Sequence, residues 1–140
     1  MIKLGLDAKL FRGEAGATGE TEVENVKDVT ISLESGEADV TTRKTKGWRA
    51  SAATLKEASL EFNILYDTED EDYTAFADAY FNNTPIALFV SDGDGNGLDA
   101  DFSITGFTIN QPLEEAMNVD VTAKPTASTR APLWKTGAGA

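Results

Sequence analysis

Apolar and polar residues alternate with period two through most of this chain, and that spacing limits the fold more than any other feature. It puts successive side chains on opposite faces of a strand. Ala58, Leu60, Phe62, Ile64 and Tyr66 alternate with Ser59, Glu61 and Asn63. Met117, Val119, Val121 and Ala123 do the same against Asn118, Asp120, Thr122 and Lys124. Ile2, Leu4, Leu6, Ala8 and Leu10 read as a further strand. So do Val29, Ile31 and Leu33, with Glu34-Ser35-Gly36-Glu37 offering a turn into residues 38–42. One buried face and one solvated face mark an antiparallel sheet. Ile86-Ala87-Leu88-Phe89-Val90 is apolar on both faces and belongs at a covered, central position. Ala100, Phe102 and Ile104 keep one parity, and Phe107 and Ile109 the other. The change of phase at Gly106 predicts a β-bulge there, since a slip would turn the apolar set outward.

One helix interrupts the strands, at about residues 69–82. Thr68-Glu69-Asp70-Glu71 fits a capping box with Thr68 as N-cap, and acids at 69–72 suit the positive end of the helix dipole. Tyr73, Phe76, Ala77, Tyr80 and Phe81 follow as a single apolar stripe, which reads as core packing against the sheet. Asn82, Asn83 and Pro85 stop it. The fold expected is mainly β: an antiparallel β-sandwich or barrel flanked by one α-helix. Its 140 residues suit one domain over 1–140. Three stretches lack periodicity: residues 12–24, a glycine-containing mobile loop; residues 44–54, a long loop between strands; and a loosely held tail from 125.

Composition removes much chemistry. Cysteine and histidine are both absent, so disulfides, thiol nucleophiles, Cys/His zinc sites and His-based triads are excluded. Lys and Arg number 12 against 24 Asp and Glu, a net charge of −12. That excess opposes general nucleic-acid binding, which needs cations to displace phosphate counterions. No run is long and apolar enough for a signal peptide or membrane helix, so no membrane anchor and synthesis in a cytoplasm are expected.

Two stretches are candidate sites. Asp92-Gly93-Asp94-Gly95-Asn96-Gly97 opens like a calcium loop, with Asp92, Asp94 and Asn96 as oxygen ligands and Asp99 and Asp101 close by. The twelfth position falls on Ser103 where a bidentate Glu is needed, so a hairpin turn is the preferred reading. The second is Arg43, Lys44, Lys46 and Arg49 around Trp48: four of twelve basic residues within seven positions. It reads either as a solvated loop or as a subunit contact, since Trp and Arg are enriched at interface hot spots. No arrangement of carboxylates rises above what an acidic chain shows by chance, and no catalytic residue or cofactor is assigned.

Over residues 23–126 the order of features resembles the tail tube proteins of long-tailed, siphophage-type bacteriophages. The resemblance rests on paired early strands, the 44–54 loop and the run Leu55-Lys56-Glu57-Ala58-Ser59-Leu60-Glu61-Phe62. The acid-capped helix, the Asp-Gly turn, Phe102-Ser103-Ile104-Thr105-Gly106-Phe107 and the closing Val119-Asp120-Val121-Thr122-Ala123-Lys124-Pro125-Thr126 complete it. It implies a non-enzymatic subunit forming hexameric rings that stack into the tube of a virion tail. Its partners would be itself, other tail proteins, and double-stranded DNA passing without specific binding. The family's stacking loop would map onto 44–54, and the N-terminal arm and C-terminal tail would meet neighbouring rings. Similar subunits occur in type VI secretion tubes. The rival classes are a monomeric β-sandwich carbohydrate-binding module using Trp48 or Trp134 as a stacking face, and a small acidic-site hydrolase.

Overall fold

The computed structural model describes residues 2–136. Strand formation follows the alternation wherever a partner strand lies alongside. The elements in chain order are β1 (Lys9–Glu14), β2 (Thr21–Glu22), β3 (Val26–Asp39), β4 (Ser51–Leu65), α1 (Glu71–Phe81), β5 (Ile86–Ser91), β6 (Gly97–Asn110), β7 (Asn118–Pro125) and β8 (Leu133–Lys135). They form one antiparallel sheet in the order β2-β1-β5-β6-β7-β4-β3, with β8 added on β6. The mainly β, one-helix architecture is the one the periodicity calls for.

Register decides the faces. Leu60, Phe62 and Ile64 of β4 stand opposite Ala123, Val121 and Val119 of β7. Leu10, Leu88 and Val90 share that core face with Leu98, Ala100, Phe102 and Ile104. All of these belong to one apolar cluster with Phe76 and Ala79 of α1. Burying Phe76 completely contributes about 2–3 kcal/mol. Arg12, on the core face of β1, reaches Asp72 in the first turn of α1 and ties the helix to the sheet edge. β5 is flanked by β1 and β6 and is buried along nearly its whole length.

The bulge expected at Gly106 is present. Pairing with β7 shifts between Ile104 and Gly106, leaving Thr105 unpaired, and Phe107 and Ile109 return to the core face. The site is also tight: a Cβ there would lie 3.2 Å from the Thr122 side chain, which would have to give by a few tenths of an ångström.

Elsewhere the structure corrects the expected boundaries. Residues 2–8 are outside any strand, with a 3-10 turn at Gly5–Asp7, because β1 finds its partner only from Lys9 opposite Ser91. No turn forms at residues 34–37. β3 runs straight through with a register shift between Ser35 and Glu37, and a bulge absorbs the irregularity that looked like a reversal. The reversal lies at residues 40–50, so 51–54 of the expected loop are strand. Within residues 12–24, β1 continues to Glu14 and β2 follows. Gly13 and Gly19 lie where the chain crosses itself, a Cβ on Gly19 falling 2.9 Å from the Phe11 carbonyl. The helix N-cap is Asp70, whose carboxylate accepts from the Asp72 N–H at 3.2 Å, in place of Thr68. The aromatic stripe is turned slightly: Phe76 and Ala79 face inward, while Phe81 is largely exposed. The tail carries β8, and residues 137–140 of it lie outside the described residues.

Candidate assembly surface

β3 and β4 are far longer than the sheet beneath them. β7 pairs with β4 only from Leu60 to Leu65. Beyond that point the hairpin continues from Ser59 to Ser51 with β3 as its only paired strand among the described residues. Residues 51–57 and 32–37 are exposed on both faces, and Leu55 is 81% exposed. A two-stranded ribbon is marginal in water without a surface to cover it. The outer edge of β3, 14 residues long, pairs with no strand among the described residues. The same holds for the edge of β6 opposite β7 over residues 104–110, since β5 and β8 pair only with residues 97–102.

The tip of the hairpin holds the basic cluster together. Arg43–Thr45 form a 3-10 turn capped by Thr42, whose hydroxyl oxygen accepts from the Lys44 N–H. Thr45 Oγ1 donates to the Thr42 carbonyl at 2.7 Å. Lys46 and Gly47 then take positive φ, 52° and 90°, and reverse the chain. At the base, Thr41 Oγ1 accepts from the Ala50 N–H at 2.8 Å, while the Thr41 N–H donates to Asp39 at 2.9 Å. Hydrogen bonding from Thr41, by its side chain first and then its backbone N–H, holds the Asp39 carboxyl below its usual range. The loop is thus shaped by local hydrogen bonds, and Arg43, Lys44, Lys46, Trp48 and Arg49 all sit at its exposed end, with Trp48 79% exposed. A large aromatic among cations on a fixed scaffold is suited to binding another macromolecular surface.

Asp92, Asp94 and Asn96 lie in the β5–β6 turn. Asp92 Oδ1 accepts from the Asp94 and Asn96 N–H groups, and Oδ2 from the Asn96 side-chain amide. Gly93 and Gly95 supply the positive φ values the reversal needs. Hydrogen bonding from Asn96 keeps the Asp92 carboxyl below its ordinary value, and Lys3 pairs with Asp94. This is the geometry of a hairpin turn, and among the described residues no group of three or more metal-ligating side chains is gathered.

The most organised ionic cluster was invisible to spacing. Asp99 and Asp101, noted in the sequence only as acids beside the Asp-Gly turn, lie on the open face of β6, yet both are almost fully buried. Arg130 bridges them, Nη1 to Asp99 at 2.7 Å and Nε to Asp101 at 2.9 Å. Lys135 of β8 lies 3.4 Å from Asp99. From the loop before β2, Thr18 Oγ1 donates to Asp99 and the Gly16 N–H to Asp101. Burial pushes the Asp101 carboxyl up, but hydrogen bonds from Arg130, Ser128 and Gly16 outweigh it and hold it below the usual value. The only sequence signal was the pair of bases, Arg130 and Lys135, in an otherwise unpatterned tail. Trp134 lines a shallow groove with Leu33, Leu98 and Pro132, remote in role from Trp48, which is not among the lining residues.

Residues 9–127 match the model of a family described as phage tail tube protein. No curated protein matches the chain. Among solved structures, a chain of the virion of a native gene transfer agent particle aligns with TM-score 0.77 at 16% identity, covering 96% of this chain and 100% of that one. The tail of an empty gene transfer agent particle, refined with C6 symmetry, aligns at 0.72 and 17% identity, covering 96% and 100%. The SPP1 tail tube aligns at 0.67 and 18%, covering 88% of this chain and 75% of that one. At such identities these are likenesses of fold, and the family match spans well over half of the sequence. An antiparallel sheet with one helix, two open edges and an overhanging hairpin therefore has its place: the chain belongs to the phage tail tube protein family and is a structural subunit of a tail tube.

Proposed function

We propose that six copies of this chain close into a ring through the two open edges of the sheet, β3 of one copy pairing with residues 104–110 of β6 in the next. The carrying observation is that β3, the outer strand of an overhanging hairpin, and residues 104–110 of β6 each present an edge that pairs with no strand among the described residues. An edge of that length without proline or a covering segment invites pairing with another chain. Joining unlike edges is heterologous, and such contacts close into rings when the rotation permits. The six-fold symmetry of the gene transfer agent tail suggests the number. Four strands from each copy (β3, β4, β7 and the outer half of β6) would give 6 × 4 = 24 strands, and barrels beyond about 16 strands leave an open channel.

The core face carries α1 and the apolar cluster, a second layer that would fill a channel if it faced inward. The polar face of β4 and β7 therefore lines the bore. Rings stack through the hairpin tip, where Arg43, Lys44, Lys46, Trp48 and Arg49 form the contact with the next ring. Each ring carries 6 × −12 = −72 formal charges. Such a wall repels phosphate and lets double-stranded DNA pass without being held. The subunit does no bond-breaking; its work is assembly with itself and with other tail proteins in the virion, after synthesis in the host cytoplasm.

Negative-stain microscopy of concentrated protein tests this reading. Rings or tubes are the expected result. Protein that stays monomeric at every concentration and salt would overturn it.

A further inference from the structure

Four side chains meet on the open face of β4, β7 and β6. Register sets Asn63 opposite Asp120, and Asn110 opposite Asn118. An ionised carboxylate can only accept hydrogen bonds, so the flanking amides must turn their NH2 groups toward it. Asn63 Nδ2 donates to Asp120 Oδ1 at 2.8 Å and to Asn118 Oδ1 at 2.9 Å. Asn110 Nδ2 donates to Asp120 Oδ2 at 2.8 Å and to Asn118 Oδ1 at 2.9 Å. An amide nitrogen carries two hydrogens, and both amides spend both of them inside the cluster. What Asn63 and Asn110 leave for an outside partner is carbonyl oxygen. The same hydrogen bonds, from Asn63 first and then Asn110, hold the Asp120 carboxyl below its usual range. By the same register Glu34, Glu57 and Glu61 share this face with Lys124.

We propose that in this stretch of bore wall Asp120 and the Asn118 side-chain carbonyl withhold the amide hydrogens of Asn63 and Asn110 from the phosphate backbone of passing DNA; the Asn118 amide itself donates to the Ala116 carbonyl at 3.4 Å. This rests on the tube reading above. Phosphodiester oxygens only accept, and asparagine is among the side chains that proteins use to grip them. An outward-facing amide would be a point of adhesion repeated in every subunit. Charge repulsion by itself would not prevent that contact in salt, because screening shortens its reach to about 8 Å at physiological ionic strength. Turning the donors inward works at contact and is indifferent to salt. The asparagines thus hold the carboxylate in place, and the carboxylate keeps their hydrogens from the polymer.

The absence of cysteine allows single thiols to test the placement. Thr108→Cys stands beside Asp120 on the open face, and Thr74→Cys lies exposed on α1. In free subunits both should react with a maleimide carried on a long polymer. In assembled tubes Thr74→Cys should stay reactive. Thr108→Cys should be shielded from the polymer and still react with N-ethylmaleimide. Equal polymer labelling of both thiols in tubes overturns the inference and the assignment of this face to the bore but leaves assembly into tubes standing, whereas a chain that forms no tubes overturns all three. For the donors, tubes of Asp120→Ala and Glu61→Ala are assembled with a fluorescent DNA duplex and pelleted. Each removes one charge from the same face, but only the first frees amide hydrogens. Severalfold more duplex in the Asp120→Ala pellet is expected, and it should persist as salt is raised. Equal retention means that charge alone acts, and Asp120→Asn, which keeps the side chain's shape, repeats the comparison should the alanine variant not assemble.

Discussion

Asp99 and Asp101 project to the same side of β6 and reach one guanidinium, so Arg130 carries more of the fold than a tail residue usually does. Removing it by Arg130→Leu leaves two buried carboxylates with Lys135 as the remaining nearby cation, on the Asp99 side, and the loss should be about 3–5 kcal/mol in urea denaturation. The pH dependence should also reverse. In the native chain the Asp101 carboxyl lies below its usual value, so its contribution is full above about pH 4 and fades as pH falls through the lowered value. In the variant, burial without the cation raises the Asp101 carboxyl, so acidifying from pH 7 toward 5 should stabilise it. A variant whose stability does not rise on that path contradicts this account. Trp48 stands at the other extreme: it is exposed and shields nothing of its own core. Trp48→Ala should leave the melting temperature unchanged while tubes fail to form in the microscope, and normal tubes would remove the contact role of the tip.

At the scale of elements, the cap of α1 and the β5–β6 hairpin are the places where local chemistry makes distinct predictions. Asp70→Ala should cost about 1 kcal/mol, the usual loss of an N-cap, whereas Thr68→Ala should be close to neutral. Equal effects in thermal melts would return the cap to Thr68. Gly97 begins β6 so close to β5 that a Cβ would fall 1.7 Å from the Val90 carbonyl oxygen. That contact is with backbone and cannot be relieved by rotating a side chain, so Gly97→Ala should be among the most damaging substitutions in the sheet, losing about 3 kcal/mol or more by denaturant titration. The strands of alternating type, β4 and β7, were legible in the sequence because each has one buried and one open face. The first strand was not, since alternation at residues 2–8 meets no partner strand among the described residues. The bulge at Gly106 was legible because a phase change leaves a trace in the pattern. The irregularity at Gly36 looked like a turn because the same residue types serve both.

For the whole molecule, charge governs assembly. Bringing six subunits of −12 together is opposed by their mutual repulsion, and screening weakens that opposition. The concentration needed for tube formation should therefore fall as sodium chloride is raised from tens of millimolar to physiological levels, measured by sedimentation. A rise would mean that attraction between the basic tip and acidic neighbours outweighs the general repulsion. The basic cluster was legible as an unusual concentration of charge, and the structure puts it at the end of an unsupported hairpin. The Asp99–Asp101–Arg130 cluster was not legible, because its members are brought together from β6 and the tail across some thirty positions of sequence.

Composition and period by themselves determined the chemistry this chain lacks, the class of its fold and the presence of one helix, because these depend on residue types and near-neighbour spacing. Tertiary structure alone decided which polar faces are covered, which edges stay open and where the hairpin outruns the sheet. Those depend on which strands lie side by side, and a strand carries no mark of its partner. Asp99 and Asp120 occupy equivalent open-face positions in their strands: the tail folds over one and buries it, while the other stays exposed between two asparagines.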